Sequence, residues 1–149
     1  VAITADCIVG FPGEDEEDFR KTMDLIEDIQ FDGIFSFIFS PRKFTHASTL
    51  SGEVPRAAAL ERLHHLQKLQ REITLSKNKA MEGKTTEVLT ENISKNSKEE
   101  LTGRTRTNKI VNFYGPQTMM NRLVEVAIVK GYANSLKGGE PKLKEVQVC

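Results

Sequence analysis

Two apolar runs, VAITADCIVG at residues 1–10 and GIFSFIFS at 33–40, bracket a stretch whose apolar side chains recur at helical spacing. This order restricts the fold more than any other feature. The first run is β-branched with little alternation, as expected of a strand covered on both faces of a parallel sheet. FPGE at 11–14 makes a turn, with Pro12 and Gly13 as breakers. The acidic cluster Glu14 to Asp18 follows where the positive end of a helix macrodipole favours it. Phe19, Met23, Ile26 and Ile29 then predict an amphipathic helix over residues 15–30. Pro41 closes the second run, which completes a βαβ unit with a parallel strand pair.

Residues 41–55 form a loop rich in Pro, Thr, Ser and Gly, long enough to be functional. A long helix is expected from Arg56 to about Met81, with Leu60, Leu63, Leu66, Leu69 and Ile73 lining one face and Gly83 ending it. Beyond Gly83 the character changes to short β-type runs. Lys84–Thr90, Lys109–Tyr114 and Leu123–Val129 are the clearest strands, with Leu101–Arg106 and a run near Val146 as weaker ones. Five short strands over about 65 residues predict a small closed or partly open barrel of OB-like size. The expected fold class is therefore α/β followed by all-β, with domains at 1–82 and 83–149.

Net charge sums to zero over the chain but divides sharply along it. Residues 1–55 carry 4 Lys and Arg against 11 Asp and Glu, a net −7, whereas residues 56–149 carry 17 against 10, a net +7. A basic part of this kind points to a polyanionic partner. Its densest segment is LTGRTRTNKIVNF at 101–113, where cationic residues alternate with short hydroxyl and amide side chains before a strand. Arg104, Arg106 and Lys109 supply charge for phosphates, while Thr105, Thr107 and Asn108 supply neutral donors and acceptors. A solvated hairpin with ordinary surface charge is the plain alternative. Phe113 and Tyr114 are adjacent in a strand and face opposite ways, so one is expected in the core and the other exposed for stacking.

Other classes are disfavoured. No run approaches the roughly 18 apolar residues of a membrane span, and the first residues lack a signal-peptide pattern, which favours the cytoplasm. The two cysteines, Cys7 and Cys149, make no metal-ligand spacing, and Cys7 reads as a small buried hydrophobe. His64 and His65 point about 100° apart on a helix, which is not the spacing of a zinc pair. Phe35, Phe37 and Phe39 alternate along a strand and are expected in the barrel wall or its helix interface. The chain opens at Val1 directly in an apolar run and reads as a piece of something larger.

Three separated segments resemble one family. DCIVGFPGEDEEDF at 6–19 is similar to the fifth strand and following helix of the radical SAM barrel of the methylthiotransferases, and SFIFSPRKFTHAS at 36–48 to the sixth strand and its exit loop. LTGRTRTNKIVNFYG at 101–115 and YANSLKGGE at 132–140 resemble the C-terminal TRAM domain of the same family. Within it, the GRT, Asn and IVNF pattern resembles the MiaB-type enzymes, which methylthiolate isopentenyladenosine at position 37 of tRNA.

That resemblance implies a partial radical SAM (β/α) barrel followed by a TRAM barrel that binds the tRNA anticodon stem-loop. Ile8, Val9 and Gly10 would lie against the adenosyl part of S-adenosylmethionine, with Phe39, Ser40 and Arg42 bordering the same pocket. Thr45 and Ala47 match the family's exit loop, whereas Phe44 stands where it has a glycine. RNA would be held by Lys84, Arg104, Thr105, Arg106, Asn108 and Lys109. The family's two 4Fe–4S clusters each need three cysteines, so their ligands must come from a missing N-terminal part of the same enzyme, and this piece alone is expected to be inactive. No residue here is assigned a catalytic or metal-ligating role. Two alternatives stand beside this reading: a stand-alone RNA-binding module, and a methylthiotransferase acting on threonylcarbamoyladenosine.

Overall fold

The computed structural model describes residues 1–94 and 99–143, which divide into two compact units, one of Ile3–Thr74 and the other of Val1–Ala2 with the residues from Leu75 onward. In the first unit, β1 (Thr4–Val9) and β2 (Gly33–Ile38) pair in parallel with Thr4 opposite Gly33 and Val9 opposite Ile38. Helix α1 (Glu16–Ile29) connects them, so the expected βαβ unit is present. Its start is set by a capping box: Asp15 Oδ1 accepts the Asp18 N–H at 2.9 Å, and Asp18 Oδ2 accepts the Asp15 N–H at 3.4 Å. Phe19 and Ile26 drive the buried face of α1 into a core with Val9, Phe31, Leu66 and Ile73.

Helix α2 (Arg56–Lys79) supplies Leu66 and Ile73 to that core. Its buried stripe runs Ala59, Arg62, Leu66, Gln70, Ile73, at spacings of three and four residues. Leu60 was expected on this stripe but is 43% exposed, because it sits about 100° around the helix from Ala59. Gln70 is accommodated by donating to the Phe31 carbonyl at 2.9 Å and to Thr74 Oγ1 at 3.0 Å. The opposite face of the two-stranded sheet is uncovered. Phe35 and Phe37, expected to be buried, are 66% and 55% exposed beside Asp6 and Ile8, since alternation aims them away from the helices.

The second unit is a closed barrel of β3 (Thr85–Ile93), β4 (Glu100–Thr105), β5 (Ile110–Tyr114), β6 (Leu123–Gly131) and β7 (Leu136–Leu143), in the order β3-β4-β5-β7-β6. All neighbours are antiparallel except β5 and β7. Val88, Leu101, Val111, Phe113, Val124, Val126, Ile128 and Leu136 fill the interior. Closure leaves no edge strand.

The run expected near Val146 lies outside the described residues. The fifth strand of the barrel is instead β7, LKGGEPKL, whose two glycines and proline read as breakers. Packing demands the first glycine: a Cβ on Gly138 would lie 2.3 Å from Val126 Cγ1 and 3.0 Å from Phe113 Cβ. Pro141 is opposite Val126 of β6, while the pairing of β7 with β5 covers only Leu136 and Lys137, so no second ladder needs its missing N–H.

Candidate nucleic-acid interface

The β4–β5 hairpin turns through residues 105–109. Thr105 and Lys109 close it, with the Thr105 N–H donating to the Lys109 carbonyl at 3.0 Å, and the Asn108 N–H donates back to the Thr105 carbonyl at 2.9 Å. Asn108 takes a left-handed φ of 62°, which asparagine tolerates better than most residues. The buried Thr105 hydroxyl accepts the Lys109 N–H at 3.1 Å and the Thr107 N–H at 3.3 Å, and lies 3.0 Å from the Thr107 hydroxyl. Thr105 thus spends its polar group on the shape of the hairpin.

This frame presents cations. Arg106 is 82% exposed along its side chain and pairs through Nε with Glu87 at 2.7 Å. Arg104 is held by Glu91 at 3.3 Å and by the Asn108 side-chain oxygen at 2.9 Å. Lys109 donates through Nζ to Asn78 Oδ1 at 3.0 Å, and the Asn78 amide donates to the Tyr132 carbonyl at 2.7 Å. Lys84 is exposed just ahead of β3. Each arginine therefore has one carboxylate neighbour, which a phosphate must share or displace.

Sequence reading missed a second group on the barrel, because Lys137 and Glu100 are far apart in the chain. Lys137 forms an ion pair with Glu100 and sits over the Tyr114 ring, 4.3 Å from its centroid. The hydrogen bond to Glu100 holds the Lys137 ammonium above the usual lysine range despite partial burial. Lys130 lies 5.6 Å from the Tyr132 centroid. As expected, Phe113 is fully buried while Tyr114 is 55% exposed.

In the first unit, the ends of the parallel strands bring Val9, Gly10 and Phe39 together. The Phe39 N–H donates to the Val9 carbonyl at 2.8 Å, and the Phe39 and Phe11 rings meet edge-on at 5.0 Å. Gly10 has a φ of 71°, and its N–H donates to Glu14 Oε2 at 3.0 Å. Ile8 is 54% exposed on the open sheet face, whereas Val9 is buried in the core. Ser40 and Arg42 are exposed on the exit loop, where the Arg42 carbonyl accepts the Thr45 hydroxyl at 2.7 Å. Phe44 has a φ of 68°, a left-handed region that favours glycine.

The second oxygen of Glu14 is clamped by Arg62, at 2.6 Å, and Arg62 also reaches Glu16 at 2.5 Å. These bonds raise the Arg62 pKa above its ordinary value, the Glu16 hydrogen bond most, against the opposing effect of burial. Among the described residues, no helix is long and apolar enough to cross a membrane, and no three His, Cys, Asp or Glu side chains are grouped to hold a metal ion.

Residues 79–139 match the model of the TRAM domain. The chain is 52% identical over 138 residues to the tRNA-2-methylthio-N(6)-dimethylallyladenosine synthase of Syntrophus aciditrophicus, a match covering 93% of this chain and 30% of that protein. The enzymes of the same name from Moorella thermoacetica and Clostridium botulinum are 47% and 45% identical over 138 and 140 residues, covering 93% and 94% of this chain and 31% of each relative. The chain thus spans just under a third of the length of these relatives. Its closed five-stranded barrel is a TRAM domain, in a chain that over 93% of its length is similar to part of enzymes named tRNA-2-methylthio-N(6)-dimethylallyladenosine synthase.

Proposed function

We propose that this chain is the C-terminal part of an enzyme that methylthiolates N6-isopentenyladenosine at position 37 of tRNA, and that its TRAM barrel grips the anticodon stem-loop. The observation that carries this reading is the β4–β5 hairpin: a TRAM barrel that holds Arg104 and Arg106 outward on a turn locked by Thr105. Kinship to the dimethylallyladenosine synthases over 93% of the chain favours this substrate over threonylcarbamoyladenosine. Lys84, Arg104, Arg106, Asn108 and Lys109 would contact RNA, with Thr105 holding the hairpin that presents them.

The βαβ unit would border the S-adenosylmethionine pocket of the whole enzyme. The exposed apolar wall of Ile8 and Phe37, next to the Phe11–Phe39 edge contact, suits an adenine ring. Gly10 is backed by Ala59, whose Cβ would lie 2.7 Å from a Cβ at Gly10, so its missing side chain serves packing as well as any ligand. S-adenosylmethionine and two 4Fe–4S clusters would supply the radical and sulfur chemistry, with the cluster ligands elsewhere in the enzyme. Ser40 and Arg42 would line the pocket's mouth.

Titrating an anticodon stem-loop into the wild-type chain and the Arg104→Ala/Arg106→Ala variant at two salt concentrations tests the RNA half. Log affinity should fall by about 0.7 to 0.9 per log unit of salt for each phosphate contact, and the double variant should lose affinity and slope together. Unchanged affinity and slope would remove the hairpin from the interface.

A further inference from the structure

A lateral row of outward side chains crosses all five strands of the barrel. Lys130 of β6 is opposite Lys137 of β7, Lys137 opposite Asn112 of β5, Asn112 opposite Thr102 of β4, and Thr102 opposite Asn92 of β3. Two register shifts complete it. One lies between Ile128 and Lys130 and the other between Thr90 and Asn92, and each leaves two successive residues out of the core after a buried one, so that Lys130 follows Val129 and Asn92 follows Glu91 on the outside. With strands about 4.8 Å apart, the row follows roughly 19 Å of arc round the closed barrel, and it contains two amines, two amides and a hydroxyl but no carboxylate.

Beside this row is a cleft of about 490 Å³, lined by Tyr114, Gly115, Pro116, Met119, Gly138, Gly139, Glu140 and Pro141. Three glycines make part of its wall thin and flat, Met119 and the two prolines make it apolar, and Tyr114 offers an aromatic ring. Among the described residues, its only ionisable group besides the tyrosine is the Glu140 carboxylate, which repels a phosphate but accepts a base N–H. Lys137 stands over the Tyr114 ring with its charge shared with Glu100, and Lys130 lies next to Lys137 on the row.

We infer that the cleft beside Tyr114 holds one unpaired nucleobase of a single-stranded RNA segment, stacked on the face of the Tyr114 ring opposite Lys137, while Lys130 and Lys137 take the flanking phosphates. The inference rests on the RNA-binding reading above and adds a site that the β4–β5 hairpin does not include. A duplex keeps its bases stacked inside, so this site discriminates for unpaired nucleotides. An apolar peptide side chain is the competing occupant, and the amines of the row favour the nucleotide.

The chain has no tryptophan and two tyrosines, so Tyr132→Phe leaves Tyr114 as the only tyrosine fluorophore. The probes are a single-stranded hexa-adenylate, an anticodon stem-loop and an RNA duplex without a loop. Both loop-containing and single-stranded probes should quench Tyr114 emission, and the duplex should not. With labelled RNA in the otherwise wild-type chain, Tyr114→Ala should weaken single-strand binding about tenfold with an unchanged salt slope, Tyr114→Phe should retain affinity, and Lys130→Ala should lower the slope. RNA binding without quenching, equal quenching by the duplex, or full affinity in Tyr114→Ala would overturn the inference and leave the hairpin reading intact. If no RNA binds the wild-type chain, the hairpin reading fails and the inference with it.

Discussion

Arg62 and Glu14 are 48 residues apart in sequence, and their side chains meet at 2.6 Å with only 8% and 13% of their surfaces exposed. Glu14 also accepts the Gly10 N–H, so one carboxylate ties the end of β1, the turn and α2 together. The acidic run after the first strand therefore serves two purposes: Asp15 and Asp18 cap α1, and Glu14 anchors the turn.

Arg62→Ala should be costly, because it leaves Glu14 buried without its counter-charge. The expected loss is about 3 to 5 kcal/mol. Glu16→Ala should cost no more than about 1 kcal/mol, since the Glu16 side chain is 83% exposed. Urea unfolding followed by circular dichroism separates the two, and equal effects would assign no special role to Glu14.

Barrel closure depends on close approach at two glycines. A Cβ at Gly103 would sit 2.3 Å from the Leu89 carbonyl oxygen, and backbone cannot yield as a side-chain tip can. Gly103→Ala and Gly138→Ala should each destabilise the barrel by about 1 to 3 kcal/mol. Thermal unfolding checks this; an unshifted midpoint would mean the strands separate freely there.

Glu87 and Glu91 neutralise part of the charge that Arg106 and Arg104 present. Replacing both with glutamine should tighten binding of an anticodon stem-loop and steepen its salt dependence. Filter binding at several salt concentrations reads both quantities, and weaker binding would show that the carboxylates position the arginines productively.

Burial, and secondarily the charge of Glu14, push the Cys7 thiol above its ordinary value of 9.0. The folded state thus holds this proton more tightly than the unfolded state. Its contribution to stability is fully present below the unfolded value and is lost as pH rises from there through the folded value. In a Cys149→Ser background, Cys7 should react with a disulfide reagent more slowly in the native chain than in urea at pH 8, and equal rates would place it in the open.

Much of this was legible in the sequence. The βαβ unit followed from the change of period between residues 10 and 33, and the exposed Tyr114 beside buried Phe113 from simple alternation. Arg62 was not legible, because a charged residue in a leucine-rich helix looks solvent-facing until Glu14 and Glu16 are folded against it. Strand β7 was hidden by residues that break isolated strands but suit a tightly packed barrel. The row from Lys130 to Asn92 depends on two bulges, and no periodicity announces a bulge.

Amide NMR of the 16.7 kDa chain during titration with an anticodon stem-loop tests the central claim most directly. Shifts should cluster at residues 102–112 on the hairpin and its flanking strands, and at Tyr114, Lys130 and Lys137, while Ile3–Thr74 stays unmoved. Shifts confined to Ile3–Thr74, or none at saturating RNA, would contradict an RNA-gripping role for the barrel.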